Sequence, residues 1–364
     1  MLEHFKIPED QAIRVPLNSL RKTTEEIFMK CGVSKDDAKL GTDALMFADS
    51  RGIDTHGVSN MLRTYVSSYN SGAFNPTPKN SILNSTASTA IIDGDNGLGL
   101  MTAPFGMNIA IQKAKETGVG IVTIRNSNHI GAAGYHAMIA IEHDMIGWCM
   151  TAGGTSMIPT FGAEPKLGTN PLAFAAPTNK EAPFMFDAAM TAIAGNKIGL
   201  ANRLGKPMEP GWIANEDGSP NMDGGSTHDF IINSIRTQLP LGSTRELGSH
   251  KGFGLGTMVD ILCGQLSFAS GFASLDQNRR AHFVAAYDIS AFGDVNEFKN
   301  NMDGMLKGLR ETKPMPGKER VIYAGLPEME AFEERTEKGI PLHPEVIDWF
   351  KDICNKFQIK YELS

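Results

Sequence analysis

The 364-residue chain lacks several features that would assign it to common classes of protein. Its four cysteines, Cys31, Cys149, Cys263 and Cys354, are far apart and form no C-x-x-C pair, so a thiolate metal site or a thioredoxin-type redox centre has no support. Cys149 and Cys263 stand in apolar segments. This predicts buried, reduced thiols in a cytoplasmic protein.

Charge and hydropathy argue against two further classes. Aspartate and glutamate number 41 against 34 lysines and arginines, the net charge is −7, and no basic block occurs, so nucleic acid is not an expected partner. No apolar run reaches the roughly 18–20 residues that span a bilayer, so a membrane is not expected either. The acidic start of the chain has no apolar core segment, and we expect no secretory signal there.

The glycine motifs of the commonest nucleotide-binding folds are also missing. The nearest approach to G-x-G-x-x-G is the run from Gly252 to Gly256, where Thr257 stands in place of the last glycine, and no G-x-x-x-x-G-K-[ST] occurs. A nicotinamide cofactor would therefore need a different scaffold. The nine histidines form no H-E-x-x-H and no close pair at ligand spacing, so the sequence offers no argument for a metal.

What is present is typical of a globular α/β or α+β protein. Hydrophobic residues make up 41% of the chain, and its length predicts one large or two unequal domains. Helical patterns at both ends flank a middle with many strands. The first helix is expected to start at Asn18 or Ser19 as its cap. A strand is expected over 320–325, and the glycine- and proline-rich segment 205–228 predicts an exposed excursion.

His56 is the first candidate catalytic group. It lies between Thr55 and Gly57 on a loop between two predicted helices, and an imidazole titrates near neutrality, so it can give a proton to a carbonyl and take it back. Thr55 or a carboxylate could fix its tautomer. The same loop also fits a helix start capped by Asp54 or Thr55 beside an incidental histidine, and both interpretations stay open.

Three other motifs have both a chemical and a structural interpretation. His129 follows the strand 119–126, where polar groups often line a ligand crevice or simply cap the next helix. Asp187 ends an apolar strand, so it is either a structural hydrogen-bonded aspartate or the partner of a histidine. Lys251 opens a predicted helix whose free N–H groups favour an anion such as pyrophosphate, or it is a solvated charge in a glycine-rich loop.

Taken in order, the motifs resemble the malate/L-lactate dehydrogenase type 2 family. The matching segments are R-G-I-D-T-H-G at 51–57, S-N-H-I-G at 127–131, G-T-N-P at 168–171, F-D-A-A-M-T at 186–191, G-S-H-K-G-F-G at 248–254 and P-G-K-E-R at 316–320. The resemblance runs from about Leu17 to the last helices. The family includes archaeal-type malate and sulfolactate dehydrogenases, ureidoglycolate dehydrogenase, diketogulonate reductase and piperideine-carboxylate reductase.

The resemblance implies a fold and an assembly. The family binds NAD or NADP on a non-Rossmann α/β (α+β) fold, with a largely antiparallel seven-stranded sheet, flanking helices and a helical domain built from both chain ends. We therefore expect residues 1–80 and 300–364 to form a helical domain with the proton donor and dimer contacts. Residues 81–299 would form the NAD(P)-binding domain. A homodimer or dimer-based oligomer is implied, with the cleft near the subunit interface.

The resemblance also implies roles for individual residues. His56 matches the proton donor, with Thr55 in place of the usual serine. Asp187 matches the carboxylate that partners this histidine in some members, and His129 matches a histidine with a catalytic role in ureidoglycolate dehydrogenase. The matches to cofactor-binding stretches are Thr169, Asn170, Pro183, Phe184, Met185, Phe186, Asp187, Ala188, Ala189, His250, Lys251, Gly317, Lys318 and Glu319.

Two positions depart from the family pattern. Many members carry arginine four residues after the donor histidine, suited to a substrate carboxylate; here Asn60 stands there, and Arg51 or Arg63 would serve instead. Ala188 replaces a frequent methionine. The predicted activity is that of an NAD-dependent, or alternatively NADP-dependent, 2-hydroxyacid dehydrogenase acting on malate and oxaloacetate. The alternatives are a sulfolactate, ureidoglycolate or cyclic-imine carboxylate reductase, and a catalytically silent binding or scaffold protein.

Overall fold

The computed structural model describes residues 5–227, 237–269 and 279–363. Its strands are β1 (Ile13–Val15), β2 (Ser81–Ser85), β3 (Thr89–Gly97), β4 (Val119–Ser127), β5 (Met145–Ala152), β6 (Leu172–Ala176), β7 (Phe184–Ala188), β8 (Arg280–Asp288) and β9 (Ile340–Leu342). Its α-helices are α1 (Leu17–Lys30), α2 (Lys35–Ser50), α3 (Arg63–Asn70), α4 (Gly99–Thr117), α5 (Ala133–Ile141), α6 (Gly195–Arg203), α7 (Ser249–Asp260), α8 (Val295–Arg310), α9 (Leu326–Lys338) and α10 (Pro344–Phe357). Five-residue π-helical turns at Val58–Leu62 and Ile261–Gln265 precede α3 and follow α7.

Seven strands form the central sheet, in the order β2-β3-β4-β8-β5-β6-β7. Among the described strands of this sheet, only β3 and β4 run parallel, and the other neighbouring pairs are antiparallel, so the sheet is mostly antiparallel as predicted. Alternate residues of β8 serve two cores: Val284 faces α4 and α5, whereas Phe283 belongs to the core beside α7. Helix α4 lies so close to β4 that a Cβ on Gly120 would stand 1.9 Å from the Ala110 carbonyl oxygen.

A separate apolar core joins the two ends of the chain. It contains Leu20, Tyr65 and Phe350, from α1, α3 and α10, all fully buried. Strands β1 and β9 pair antiparallel beside it. Arg335 on α9 extends the connection by donating from Nη2 to Asp54 Oδ2 at 3.1 Å, in the loop that follows α2. The His56 loop therefore lies between the helical core and the sheet.

Two expectations about local structure were wrong, and a third is correct only in part. Helix α1 begins directly behind Pro16, without a side-chain cap, so neither Asn18 nor Ser19 caps it. Residues 320–325 form no strand, because Arg320 pairs with Glu330 and the chain turns into α9. Residues 205–228 are only partly an exposed excursion, as the next paragraph describes.

The segment after α6 contributes a small core of its own. Trp212 is 8% exposed and stacks on Phe5 with ring centroids 5.6 Å apart, and Met208 and Ile213 are buried beside them. Apolar side chains inside a glycine-rich segment therefore outweigh its turn-forming residues. His228, the last residue of the predicted excursion, lies outside the described residues.

The described residues also bear on the cysteines, on membrane-spanning helices and on metal ligands. All four cysteines are free, and Cys149 and Cys263 are buried as predicted. Among the residues that the structure describes, no helix combines the length and apolarity needed to cross a bilayer. Those residues also hold no group of three or more histidine, cysteine, aspartate or glutamate side chains suited to a metal ion.

Candidate active site

A cavity of about 390 Å³ lies between the loop after α2, the start of α5, strand β7 and the start of α6. Its volume and mostly apolar wall are typical of a site for a small molecule or cofactor. Eight of the predicted site residues line it: Thr55, His56, Thr169, Met185, Phe186, Asp187, Ala188 and Ala189. Two motifs about 130 residues apart in the sequence thus meet around one space.

The His56 ring is held by its neighbour in the sequence. Thr55 Oγ1 lies 2.8 Å from Nδ1, which leaves Nε2 as the ring nitrogen for a ligand in the cavity. Burial, and secondly the positive charge of Lys197, lower the pKa of His56 to about 4. The imidazole is therefore neutral at pH 7 in the free protein.

A buried carboxyl group shapes the backbone behind His56. Asp49 Oδ2 accepts a hydrogen bond from the Val58 N–H at 2.9 Å. A Cβ on Gly57 would lie 1.9 Å from Asp49 Oδ1, so the residue after the histidine must be glycine. Burial raises the pKa of Asp49 to about 7. The buried Asp49 side chain therefore fixes the backbone of the loop that carries the imidazole.

His129 stacks on His56. Their ring centroids are 5.7 Å apart and the planes are 7° from parallel. The His129 Nδ1 accepts from the Gly131 N–H at 3.1 Å and lies 2.7 Å from the Tyr65 hydroxyl. Because a backbone N–H can only donate, the proton of the neutral ring is on Nε2. Burial, followed by the proximity of His56, lowers the pKa of His129 well below its usual range.

Beyond His129 lies a second cavity, of about 610 Å³, which Tyr65, Asn128 and Arg279 also line. The stacked pair of imidazoles therefore separates two spaces, with His56 on the side of β7 and His129 on the other.

Asp187 stands at the end of β7 on the wall of the first cavity. Its Oδ2 accepts a hydrogen bond from the Gly134 N–H, at the start of α5, at 2.7 Å. Burial raises its pKa to about 6. In the described part of the chain it makes no hydrogen bond to His56, contrary to the predicted pairing. The group that orients His56 is Thr55, because the two are adjacent in the loop.

The two arginines expected to hold the substrate carboxylate lie elsewhere. The Arg51 guanidinium is sandwiched between the rings of Phe47 and Phe332, at 4.1 and 4.5 Å from their centroids, and faces a different cavity. Arg63 Nη2 pairs with Glu345 Oε1 at 2.6 Å. Aromatic and acidic neighbours thus hold both guanidinium groups away from His56, and the expectation for them was wrong.

The remaining predicted cofactor-binding residues do not line the first cavity. Asn170 is buried, and its Nδ2 donates to the Gly256 carbonyl oxygen at 2.8 Å, so it anchors α7. Phe184 packs edge-on against Phe174. Of the others, Pro183 precedes β7, His250 and Lys251 are exposed in the first turn of α7, and Gly317, Lys318 and Glu319 form an exposed turn before α9.

Two residues of α6 were missed from the sequence. Lys197 lines the cavity with His56, and the Asn196 Nδ2 donates to the Thr55 carbonyl oxygen at 3.0 Å. The one signal in the sequence was the lysine itself. A cation in the first turn of a helix is unfavourable for the helix macrodipole, so its presence there indicates a role other than helix stability. This signal was lost because α6 itself was not predicted, with glycine and asparagine at four of its nine positions.

The whole chain is similar to dehydrogenases of hydroxy acids. Malate dehydrogenase from Pyrococcus horikoshii is 37% identical over 358 residues, which cover 97% of this chain and 98% of that protein. Malate/(S)-sulfolactate dehydrogenase from Methanothermus fervidus is 33% identical over 342 residues, or 92% and 95% of the two chains. The crystal structure of malate dehydrogenase from Entamoeba histolytica matches with a TM-score of 0.92 and 33% identity, covering 96% of this chain and 99% of that one.

These similarities define the class of protein as an oxidoreductase that acts on the CH–OH group of hydroxy acids. A family model described as malate/L-lactate dehydrogenase matches residues 15–351, and the chain belongs to that family. Membership implies a nicotinamide cofactor and a hydroxy-acid substrate. It favours an enzyme over the alternative of a catalytically silent binding or scaffold protein.

Proposed function

We propose that this chain is an NAD(P)-dependent 2-hydroxyacid dehydrogenase that interconverts malate and oxaloacetate, with His56 exchanging the proton. The observation that carries the proposal is the shared cavity, where His56, backed by Thr55, faces the same space as Asp187. Relatives named malate dehydrogenase, at 37% and 36% identity, support the choice of substrate.

The cavity wall suits a flat nicotinamide ring. Small side chains, among them Ala188, Ala189 and Ala192, leave a mostly apolar space open. Residues 185–189 of β7 and its end would hold this part of the cofactor. Lys251 and the start of α7 would hold the pyrophosphate, and α7 is close enough for this, because a Cβ on Gly252 would lie 2.4 Å from the carbonyl oxygen of Leu241, which lines the cavity.

When bound, the nicotinamide supplies the hydride in the reduction and takes it in the oxidation. His56 manages the proton at the substrate oxygen. Being neutral in the free protein, it can accept the hydroxyl proton of malate. In the reduction it must be protonated, and the negative charge of the bound substrate favours the imidazolium. Asp187, whose pKa is raised to about 6 in the same cavity, is the competing proton donor.

Initial rates with a panel of 2-oxo acids and both reduced cofactors test the proposal. Oxaloacetate should give the highest kcat/KM among oxaloacetate, pyruvate and sulfopyruvate, and the NADH and NADPH arms decide the cofactor, which we propose to be NAD. The Methanothermus fervidus relative makes sulfolactate the second candidate, favoured if sulfopyruvate is preferred. No turnover of any 2-oxo acid above background would refute the proposal.

The domain division and the assembly belong to the same proposal. Residues 1–80 and 300–364 would form the helical domain against a cofactor-binding domain of 81–299, which the core shared by the two chain ends supports. A homodimer is supported by apolar side chains on the outside of α7 and the turn after it, where Leu255, Met258 and Ile261 are 37–53% exposed. Sedimentation at the mass of one chain would contradict it. The free cysteines support a cytoplasmic location.

A further inference from the structure

A lysine without an acidic partner shares the cavity with His56. Lys197 lines this cavity from the first turn of α6. Burial lowers its pKa, and no carboxylate contributes to that pKa or lies within ion-pair distance among the residues that the structure describes. Its Nζ lies 5.9 Å from the centroid of the Phe5 ring, which is a weak cation–π contact. A partly buried ammonium in this position gains from an anionic ligand.

The other cations near the loop are already engaged. Arg51 lies between two aromatic rings in a different cavity, and Arg63 pairs with Glu345. Arg203 donates to the Asn60 side-chain oxygen at 2.9 Å and pairs with the same glutamate. None of the three lines the cavity. Within the described residues, Lys197 is the cationic side chain that does.

The position of α6 relative to the imidazole is fixed by neighbouring contacts. The Asn196 Nδ2 donates to the Thr55 carbonyl oxygen at 3.0 Å and lies 3.1 Å from Met61 Sδ. The next residue, Lys197, is therefore held at a fixed position relative to His56. The ammonium is close enough that its charge lowers the pKa of the His56 imidazole.

We propose that Lys197 binds the substrate carboxylate that is bonded to the reacting carbonyl carbon. The inference rests on the proposed function of the His56 cavity and adds the substrate-binding cation. In this arrangement His56 contacts the carbonyl oxygen of the substrate. The carboxylate is bonded to the same carbonyl carbon, so it would lie beside His56, next to the Lys197 ammonium. The bound carboxylate would compensate the positive charge of Lys197, and this removes one cause of the low pKa of His56. Substrate binding and protonation of the imidazole are thereby coupled.

Three variants test the inference. Lys197→Met keeps the length of the side chain but removes its charge, and Lys197→Arg retains a cation. The control, Lys206→Met, removes an exposed charge in the loop after α6. Each is assayed for the KM of oxaloacetate, for binding of oxamate in the presence of NADH, and for NADH affinity. Oxamate carries only the carboxylate beside its carbonyl group.

Loss of a charge-assisted contact predicts that Lys197→Met raises the KM of oxaloacetate and weakens oxamate about 10- to 100-fold. NADH affinity should stay within about threefold, Lys197→Arg should recover part of the loss, and Lys206→Met should match the wild type. Equal oxamate binding in wild type and Lys197→Met, or none in the wild type, would overturn the inference. A wild type without turnover of any 2-oxo acid would instead overturn the proposed function, and the oxamate titration still tests Lys197.

Discussion

The acid beneath the His56 loop gives a quantitative prediction about stability and pH. Burial raises the pKa of Asp49 from its ordinary 3.8 to about 7 in the folded protein. A raised carboxyl pKa means that the folded state favours the protonated form, so this stability is present at low pH and is lost as pH rises from about 4 through about 7. At roughly 1.4 kcal/mol for each tenfold change, the loss amounts to about 4 kcal/mol.

Asp49→Asn should remove this pH dependence. The amide oxygen can still accept from the Val58 N–H, and the side chain no longer ionises. We expect the free energy of unfolding of the variant, minus that of the wild type, to increase by up to about 4 kcal/mol between pH 4 and pH 8, because only the wild type loses stability over this range. Urea unfolding at both pH values measures it. The exposed Asp352→Asn is the matched control and should show no such trend. A difference between Asp49→Asn and wild type that does not change with pH would refute the reasoning.

Two further predictions concern the loop and the cofactor. Thr55→Val removes the hydroxyl from His56 Nδ1 while preserving shape, so kcat/KM should fall about tenfold, whereas Thr55→Ser should stay close to wild type; equal rates for valine and threonine would show that the hydrogen bond has no role. Lys251→Ala should weaken NADH binding about tenfold in a fluorescence titration, while the exposed Lys115→Ala should not; unchanged affinity would remove Lys251 from the cofactor site.

Much of the fold could be predicted from the sequence because its patterns are local. The β-branched run of β4 and the apolar run of β5 predict strands, and Ser34 is a residue type typical of a helix cap, whose hydroxyl accepts from the Asp37 N–H at the start of α2. The seven-stranded, mostly antiparallel sheet came from the family resemblance. The strand order could not be derived from periodicity, since β8 enters between β4 and β5 from more than 120 residues away.

The candidate site was predicted less completely. Thr55, His56 and Asp187 meet at one cavity, and their motifs alone did not show it. The arginines were misplaced because a sequence does not reveal that Phe47, Phe332 and Glu345 hold them. Lys197 was missed because its position depends on α6, which was not predicted and whose Asn196 side chain contacts the backbone of Thr55. Long-range side-chain contacts of this kind carry no local pattern.

The central claim, that His56 moves the proton, is tested most directly by His56→Ala in the oxaloacetate reaction. The variant should lose roughly 10²- to 10⁴-fold in kcat while it binds NADH as the wild type does. Asp187→Asn, measured alongside, reports on the competing acid. Turnover of His56→Ala within about threefold of wild type would contradict the claim and would leave Asp187 or His129 as the proton donor.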